Sequence, residues 1–407
     1  MSFFSFYFLI FVAVLILVSY RCVTTRCRRL VLSLANLVFV LTYIPSLNSG
    51  LALAAFVLVS YGFLIAIRRW PGLPLPTLGI VLALLGLMLV KRYEFLRPLL
   101  PGSWLNHGLE LIGISYMVFK WIQMAVDLRQ VQLAPVTLYG YVNFQLGFFS
   151  LVAGPIQRYN DFQRFWQERP LPFGNPRDAL LAWSRILTGL FKLGVFGALL
   201  FMVCEYGRGT IVPGATTGQA ILGFLCMFYG YPVYIYLNFS GYCDVVIGAA
   251  RLLGMVQQEN FDRPYRARDM VDFWNRWHIS LTFWIRDYVF MTSYKWVAEH
   301  WPRAAQAAGY FLLFVALFLA GVWHGPSLNF VVFGLLHGLG IAISRAYGDS
   351  LRKTLGHLKY KQYLANRWIH AVAILLTLHY VSFCFLFFTP DMNDTFQRLS
   401  VVWSKVL

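Results

Sequence analysis

Apolar runs about as long as a bilayer is thick recur along this sequence, and they constrain the fold more than any other feature. Roughly eleven runs approach or reach the ~20 residues that a helix needs to cross the hydrocarbon core. They lie at Ser2–Tyr20, Leu30–Ser46, Leu51–Ile67, Thr77–Val90, Leu109–Val126, Val136–Ala153, Leu180–Val203, Gly218–Phe239, Gly309–Trp323, Leu328–Ser344 and Ile369–Phe388. Only 13% of the residues are charged, whereas soluble domains carry about 25%. We therefore predict a single all-α, polytopic integral membrane domain over residues 1–407, with about eleven transmembrane or re-entrant helices.

Positive charges follow the first and the third apolar run. Arginines cluster between Arg21 and Arg29, and Arg68 and Arg69 follow the third run. The positive-inside rule then predicts that both loops are cytoplasmic and that the N-terminus is extracytoplasmic. We expect a multi-pass protein of the cytoplasmic (inner) membrane. The net charge of +17 fits anchoring to anionic membrane lipid, because the basic clusters are short, scattered and without a nucleic-acid-binding module. Nucleic acid is therefore not an expected partner.

The stretch from Asp272 to Asp287 combines aromatic side chains with polar ones. If it forms one helix at about 100° per residue, its polar residues share an arc of roughly 120°. These polar residues are Asp272, Asn275, His278, Thr282 and Arg286. Trp277 and Trp284 then occupy the opposite arc. The pattern predicts that the imidazole of His278 lies on a polar helix face backed by aromatic rings.

His324 ends an apolar run of about 15 residues, shorter than the ~20 needed for a straight span. Gly325 and Pro326 follow it and break a helix, so we predict that His324 lies at a broken helix end within the membrane protein. A histidine in a membrane segment is a functional candidate by default. Trp323 precedes it, and His337 on the next apolar run could close on the same cavity.

Two further groups of polar residues follow apolar runs. Gln157, Arg158 and Tyr159 come after Gly154-Pro155 and offer donors suited to an anionic or hydroxyl-rich partner. Their alternative is a membrane-interface anchor at headgroup depth. Asn238 and Ser240 end a tyrosine-rich apolar run, and we predict that they line a wet pocket.

Several motifs of other enzyme classes are absent from the sequence. It contains no GxSxG, no GxxxxGK[ST] and no HExxH, so the hydrolase, ATPase and zinc-protease interpretations lose their support. Six cysteines are present without a CxxC pair. We predict no metal site and no disulfide framework.

At the two histidine stretches the sequence resembles the membrane-bound O-acyltransferase superfamily, and five pieces in family order carry the resemblance. They are Gly154-Pro155-Ile156-Gln157-Arg158-Tyr159, Asn238-Phe239-Ser240-Gly241-Tyr242, Glu259-Asn260-Phe261-Asp262-Arg263-Pro264-Tyr265, Phe273-Trp274-Asn275-Arg276-Trp277-His278-Ile279-Ser280-Leu281 and Gly321-Val322-Trp323-His324-Gly325. Together they cover most of residues 145–340. Within the superfamily, Arg286–Met291 and Thr377–Tyr380 look like the D-alanyl transfer proteins that modify teichoic acids. Ser240–Asp244 and Trp277–Leu281 look more like alginate-type O-acetylation proteins.

The resemblance implies a thioester donor on the cytoplasmic side, either a phosphopantetheine carrier protein or an acyl-CoA. It also implies a hydroxyl acceptor outside, on a cell-envelope polymer or its carrier, with envelope proteins as further partners. The acyl group stays open between D-alanyl, which we favour, and acetyl. His324 is the hypothetical general base and His278 the second catalytic histidine. The substrate-binding candidates are Asn275, Arg276, Trp277, Trp323, Gln157, Arg158, Tyr159, Asn238 and Ser240.

Two other functions are compatible with the residues alone. A polytopic transporter or flippase of an envelope precursor would also have broken helices and intramembrane polar residues. However, no second Trp-His motif lies at a matching position in the first half of the chain. A non-catalytic scaffold would leave the pair of Trp-His motifs unexplained.

Overall fold

The computed structural model describes residues 6–22, 24–99, 113–130, 133–168, 176–389 and 391–406. In its first half, helices run over Phe6–Arg21, Thr25–Leu41, Leu47–Arg69, Leu75–Lys91, Glu94–Leu99 (3₁₀), Ile114–Gln130, Leu138–Leu146, Phe148–Leu151, Tyr159–Gln167, Pro176–Phe191, Lys192–Gly197 (π) and Ala198–Thr210. In its second half they run over Thr217–Leu225, Cys226–Gly230 (π), Tyr231–Leu252, Pro264–Arg266 (3₁₀), Met270–Arg276, Ile279–Ile285, Arg286–Phe290 (π), Met291–His300, Pro302–Ala304 (3₁₀), Ala305–His324, Leu328–Ala365, Arg367–Phe385 and Met392–Val406.

Six of the described helical segments are long and apolar enough to cross a membrane. They are Leu47–Arg69, Pro176–Thr210, Thr217–Leu252, Pro302–His324, Leu328–Ala365 and Arg367–Phe385. Two shorter apolar helices, Tyr7–Arg21 and Leu75–Lys91, accompany them. The all-α, multi-pass membrane class predicted from the sequence is therefore confirmed. Parts of the predicted runs Ser2–Tyr20 and Leu109–Val126 lie outside the described residues.

The described chain groups into two compact units. The first consists of the described residues of Met1–Arg92, Arg97–Phe191 and Gly241–Glu259, and the second of those of Tyr93–Leu96, Lys192–Ser240 and Asn260–Leu407. The prediction of one domain over the whole chain stays a prediction.

Within the first unit, the side chain of Lys120 is buried and hydrogen-bonded to backbone carbonyls. The ammonium of Lys120, fully buried, donates to the carbonyls of Phe144 at 2.8 Å and Gln145 at 3.3 Å. These carbonyls belong to the last turn of the helix Leu138–Leu146, where carbonyls lack intrahelical partners and a cation is favoured. Lys120 thus caps a helix end.

Within the second unit, the helices Ala305–His324 and Leu328–Ala365 approach closely at glycine. A Cβ added to Gly321 would lie 2.2 Å from the Cα of Gly334, and one added to Gly334 would lie 2.6 Å from the carbonyl oxygen of Phe318. Small residues permit such backbone contact between membrane helices. This contact holds the helix that ends at His324 against its neighbour.

Gly334→Ala is expected to destabilise the protein by about 1–3 kcal/mol, because the added methyl group meets backbone instead of a flexible side chain. Gly348→Ala on the same helix is the matched control, since its Cβ would meet only the Tyr360 hydroxyl, at 3.9 Å. Thermal unfolding in detergent measures the difference. Equal unfolding temperatures for the two variants would contradict the close packing.

Candidate active site

The stretch that contains His278 is two short helices joined by a break. Met270–Arg276 ends with Trp277 in an extended conformation, and Ile279–Ile285 begins after His278. His278 itself has φ 45° and ψ 49°, the left-handed region, which bulky residues adopt rarely and at a cost of about 1–2 kcal/mol. The predicted continuous helix with one polar stripe was therefore wrong. Non-glycine residues held in such a conformation cluster at functional sites.

A short extended segment beginning at Asn260 holds this break in place. An antiparallel bridge joins Phe261 to Trp277. The amide of Ile279 donates to the carbonyl of Asn260 at 3.0 Å, and the amide of Ser280 donates to the Asn260 side-chain oxygen at 3.1 Å. Asn260 is 1% exposed. Its backbone and side chain therefore satisfy amides at the start of the helix that follows His278.

His278 lies among rings, with 1% of its surface exposed. The Phe239 ring centroid is 4.7 Å from that of His278 at 73°, and the Trp323 centroid is 6.4 Å away at 64°. Burial, followed by the charge that His324 can carry, lowers the pKa of His278 well below its usual 6.5. The imidazole of His278 is consequently neutral at physiological pH.

His324 is the last residue of the helix Ala305–His324, and Gly325 follows in an extended conformation. The predicted helix end is thus confirmed. The His324 imidazole contacts the rings of Trp323 and Phe388 at 4.9 and 5.0 Å between centroids. Among the three histidines discussed here, His324 alone is half-exposed, whereas His278 and His337 are each 1% exposed. The ring also lies at a helix C-terminus, where backbone carbonyls lack intrahelical partners.

Tyr93 and Glu94, which the sequence analysis did not identify, fix the turn after His324. The hydroxyl of Tyr93 donates to the carbonyl of Val322 at 3.1 Å. The amide of Glu94 donates to the carbonyl of Pro326 at 3.0 Å. The amide of Leu328 donates to the Glu94 carboxylate at 3.2 Å. These contacts satisfy backbone groups where one helix ends and the next begins.

His337 lies in an aromatic environment close to the same residues. Its ring centroid is 4.3 Å from Phe333 and 5.1 Å from Trp274. Both of its ring nitrogens are buried without a hydrogen-bond partner in the described structure. Phe333 also contacts His324, with 6.0 Å between the ring centroids. Trp323 thus contacts the rings of His278 and His324, and Phe333 contacts those of His324 and His337.

A cavity of about 520 Å³ opens beside the two short helices that flank His278. Asn275, Thr282 and Arg286, three of the five residues of the predicted polar stripe, line it, together with Trp274 and Arg345. His278 and Asp272 do not appear among its lining residues. The break at His278 explains this separation, because it turns the histidine into the core while its polar neighbours face the cavity.

The structure gives the remaining candidates different surroundings. Arg276 is held by the carboxylate of Asp272 at 2.7 Å and lies 3.4 Å from that of Asp262. Trp277 is 4% exposed and packs against Phe261 and Phe385. Both residues therefore stabilise the break, and their contact with substrate stays a prediction.

Asn238 and Ser240 lie on the helix Tyr231–Leu252, on either side of Phe239. Asn238 is half-buried, whereas Ser240 is 3% exposed and its hydroxyl has no partner in the described structure. Phe239, which the site prediction omitted, is the ring that contacts His278.

Gln157, Arg158 and Tyr159 belong to the first unit. Tyr159 is fully buried, and its hydroxyl donates to the carbonyl of Pro135 at 3.1 Å. Gln157 is also buried, and its carbonyl accepts from the Gln123 amide group at 3.2 Å. Tyr159 is therefore a packing residue in the described structure. Contact of Gln157 and Tyr159 with substrate, and the headgroup-level alternative, stay predictions. Arg158 is half-exposed, and its role is a prediction.

Asn260→Ala is expected to lower turnover by roughly 10²-fold, because a displacement of about 1 Å at a catalytic group has that effect. The variant removes the acceptor of the Ser280 amide but leaves His278 in the sequence. Asn260→Asp keeps an oxygen acceptor and is expected to retain more activity than Asn260→Ala. If both variants matched wild type in kcat, Asn260 would not position the histidine.

The neutral state of His278 also predicts a dependence of stability on pH. At a pH below about 6.5 the unfolded chain binds a proton at this histidine, whereas the folded protein does not. Stability is therefore lost as pH falls below the unfolded pKa. Unfolding temperatures measured at about pH 7.5 and 5.5 should differ less in His278→Asn than in wild type. An identical difference in both proteins would contradict the neutral state.

Comparison with known proteins places these features in a family. The sequence model of the membrane-bound O-acyltransferase family matches residues 5–388. The teichoic acid D-alanyltransferase of Bacillus subtilis (strain 168) is 33% identical in an alignment of 328 residues, and the match covers 76% of this chain and 76% of that protein. That of Streptococcus thermophilus is 30% identical, over 77% of this chain and 75% of that protein. The "probable alginate O-acetylase" of Pseudomonas syringae pv. tomato is 33% identical over 246 residues, covering 60% of this chain and 44% of that protein. These relatives are acyltransferases, and none of these comparisons supports the transporter alternative.

Proposed function

The chain belongs to the membrane-bound O-acyltransferase family, and from this we propose that it transfers a D-alanyl group from a thioester donor to hydroxyls of a cell-envelope polymer or its carrier. The donor is loaded on the cytoplasmic side, the acceptor is reached from outside, and the protein lies in the cytoplasmic membrane with its N-terminus extracytoplasmic. The D-alanyltransferase relatives support the acyl group, because they match 76% and 75% of their own length.

One observation carries the proposal most strongly. A half-exposed histidine, His324, ends a broken helix, and Trp323 contacts both its ring and that of the buried His278. An intramembrane imidazole with a neutral partner and flanking tryptophan suits proton transfer in a site that excludes water. A transporter would not require this pairing.

The chemistry assigned to His324 is general base catalysis. A hydroxyl is a weak nucleophile, and a positioned neutral imidazole can take its proton as the oxygen attacks the thioester carbonyl. The new ester C–O bond forms, the C–S bond breaks, and the imidazolium returns the proton to the leaving thiolate. The helix C-terminus at His324 stabilises the positive charge that develops on the ring.

The cavity of about 520 Å³ could hold the phosphopantetheine arm of the donor, whether on a carrier protein or in acyl-CoA. Its volume lies within the range of about 300–1,000 Å³ that is usual for ligand sites. Arg286 and Arg345 line the cavity, paired with Asp287 at 2.9 Å and with Asp349, another lining residue, at 3.2 Å. Their remaining guanidinium N–H groups can donate to a phosphate, and Asn275 offers amide groups to the arm. Apolar lining such as Leu317 suits the rest of the arm.

Acetyl transfer is the second candidate, because the alginate-type relatives are as similar over their shorter match. Mass spectrometry of envelope polymers from cells with and without the gene distinguishes the two. Loss of ester-linked D-alanine in the deletion strain is the expected result. Loss of acetyl ester instead would favour acetyl transfer, and unchanged ester content would contradict both candidates.

A further inference from the structure

A groove of about 990 Å³ lies within the second unit, and His278, His324 and His337 are not among the residues that line it. The helices Leu328–Ala365 and Arg367–Phe385, both candidate membrane spans, form its walls. Arg268, Asp269 and His370 are its charged or titratable lining residues, and Leu376 is one of its apolar ones. The Asp269 carboxylate accepts from the amide of Asp272 at 2.8 Å, and Arg268 lies 4.0 Å from the Asp272 carboxylate. The groove is therefore amphipathic: its polar residues suit a lipid headgroup and its apolar residues suit an acyl chain.

The groove exists because the helix Leu328–Ala365 folds back at Gly356. Gly356 has φ 69° and ψ 172°, which interrupts the helix. In a straight helix, residues 16 apart would be separated by about 24 Å, yet the hydroxyls of Tyr347 and Tyr363 are 3.2 Å apart. The segment after Gly356 thus returns along its own helix, and Tyr360 joins the groove lining.

A basic segment, residues 351–368, surrounds the break at Gly356. Residues 351–368 contain no aspartate or glutamate, and their lysines and arginines are Arg352, Lys353, Lys359, Lys361 and Arg367. All five are exposed. A basic cluster between two membrane spans attracts anionic lipid, because the phosphates lie at the same depth as the ends of the spans.

Apolar and aromatic residues in the groove are exposed to the surroundings. Trp368 is 70% exposed and Leu376 is 67% exposed, although both line the groove. Tryptophan and tyrosine favour the boundary between headgroups and acyl chains. The guanidinium of Arg367 lies 5.4 Å from the ring centroid of Trp368. An aromatic ring and a cation therefore occur together beside the groove.

We propose that this groove is a binding site for an anionic glycerophospholipid. The phosphate lies near Arg268 and His370, with the basic segment around it, and one acyl chain follows the apolar wall at Leu376. An acidic carrier protein could be attracted by the same charges, but it would leave the apolar wall between two candidate spans uncovered. The lipid accounts for both the charge and the apolar wall.

Native mass spectrometry of the full chain in detergent tests the proposal with two probes, phosphatidylglycerol and phosphatidylcholine. The wild type is expected to retain phosphatidylglycerol in preference to the zwitterionic lipid. The double variant Lys359→Gln/Lys361→Gln is expected to bind phosphatidylglycerol roughly 25-fold more weakly, at about fivefold per basic side chain. Lys295→Gln/Arg303→Gln removes two exposed charges elsewhere in the unit and is the matched control.

A second pair of variants tests the apolar wall. Leu376→Trp should fill the groove and displace the lipid, whereas Leu375→Trp, also on an exposed position of the same helix but outside the groove lining, should not. Equal retention of both lipids, or equal binding by Leu376→Trp and Leu375→Trp, would overturn the proposal. The proposal would also be overturned if the Lys359→Gln/Lys361→Gln variant still bound phosphatidylglycerol but no longer bound an acidic acyl-carrier protein. None of these readouts depends on acyl transfer.

Discussion

Replacing His324 by alanine is expected to lower kcat for acyl transfer by about 10²–10⁴-fold, the usual contribution of a general base. The loss arises because the hydroxyl then attacks while keeping its proton. His324→Gln retains a polar side chain without a basic nitrogen, and it should be as inactive as the alanine variant. The measurement is the initial rate with a thioester donor in membranes that contain equal amounts of each protein.

Controls separate this loss from damage to the fold. His357→Ala removes an exposed histidine of the same unit and should leave the rate unchanged. Because His324 is half-exposed at a helix end, its replacement should lower the unfolding temperature little. A near-normal rate in His324→Ala would show that the base is another group.

Substitution of His278 is expected to have the second largest effect, with turnover reduced by roughly 10²-fold while the donor still binds. His278 is buried beside Phe239 and Trp323, so its loss would disturb the surroundings of the reacting groups more than the donor cavity. Its backbone is left-handed, and asparagine tolerates that conformation better than most residues. His278→Asn is therefore the variant that removes the imidazole with least backbone strain.

The measurement compares donor affinity with turnover in His278→Asn and His278→Ala. Similar donor affinity and reduced turnover in both variants would support a role in positioning. If His278→Asn were fully active while His278→Ala was not, the backbone conformation at this position would matter and the imidazole would not. Loss of donor binding in both variants would assign His278 to the donor site instead.

The sequence was sufficient to predict the membrane class, the family and the helix end at His324. The membrane class depends on the length of apolar runs, and the helix end depends on the helix-breaking residues after His324. The family depends on five short pieces of sequence in family order. The prediction failed at His278 because no glycine or proline marks a break there, so the helical periodicity continues across Trp277 and His278. The break depends on hydrogen bonds from Asn260, a tertiary effect that a local pattern does not contain.

Other residues of the site could be found only from the structure. Tyr93 and Glu94 are more than 200 positions from the turn that they hold, and no motif connects them to it. Phe239 and Asn260, by contrast, lie inside pieces that carried the family resemblance. Their polar or aromatic character gave a signal, but the sequence alone did not reveal that each supports the surroundings of His278.

A single-turnover experiment with a thioester donor labelled in its acyl group tests the central claim most directly. With reconstituted wild type and a hydroxyl-bearing envelope polymer, the label should move from thioester to polymer ester as thiol is released. In His324→Ala the donor should stay bound and intact, with ester formation reduced by about 10²-fold or more. Undiminished ester formation in His324→Ala, or release of the label from wild type as free acid without ester, would contradict the account.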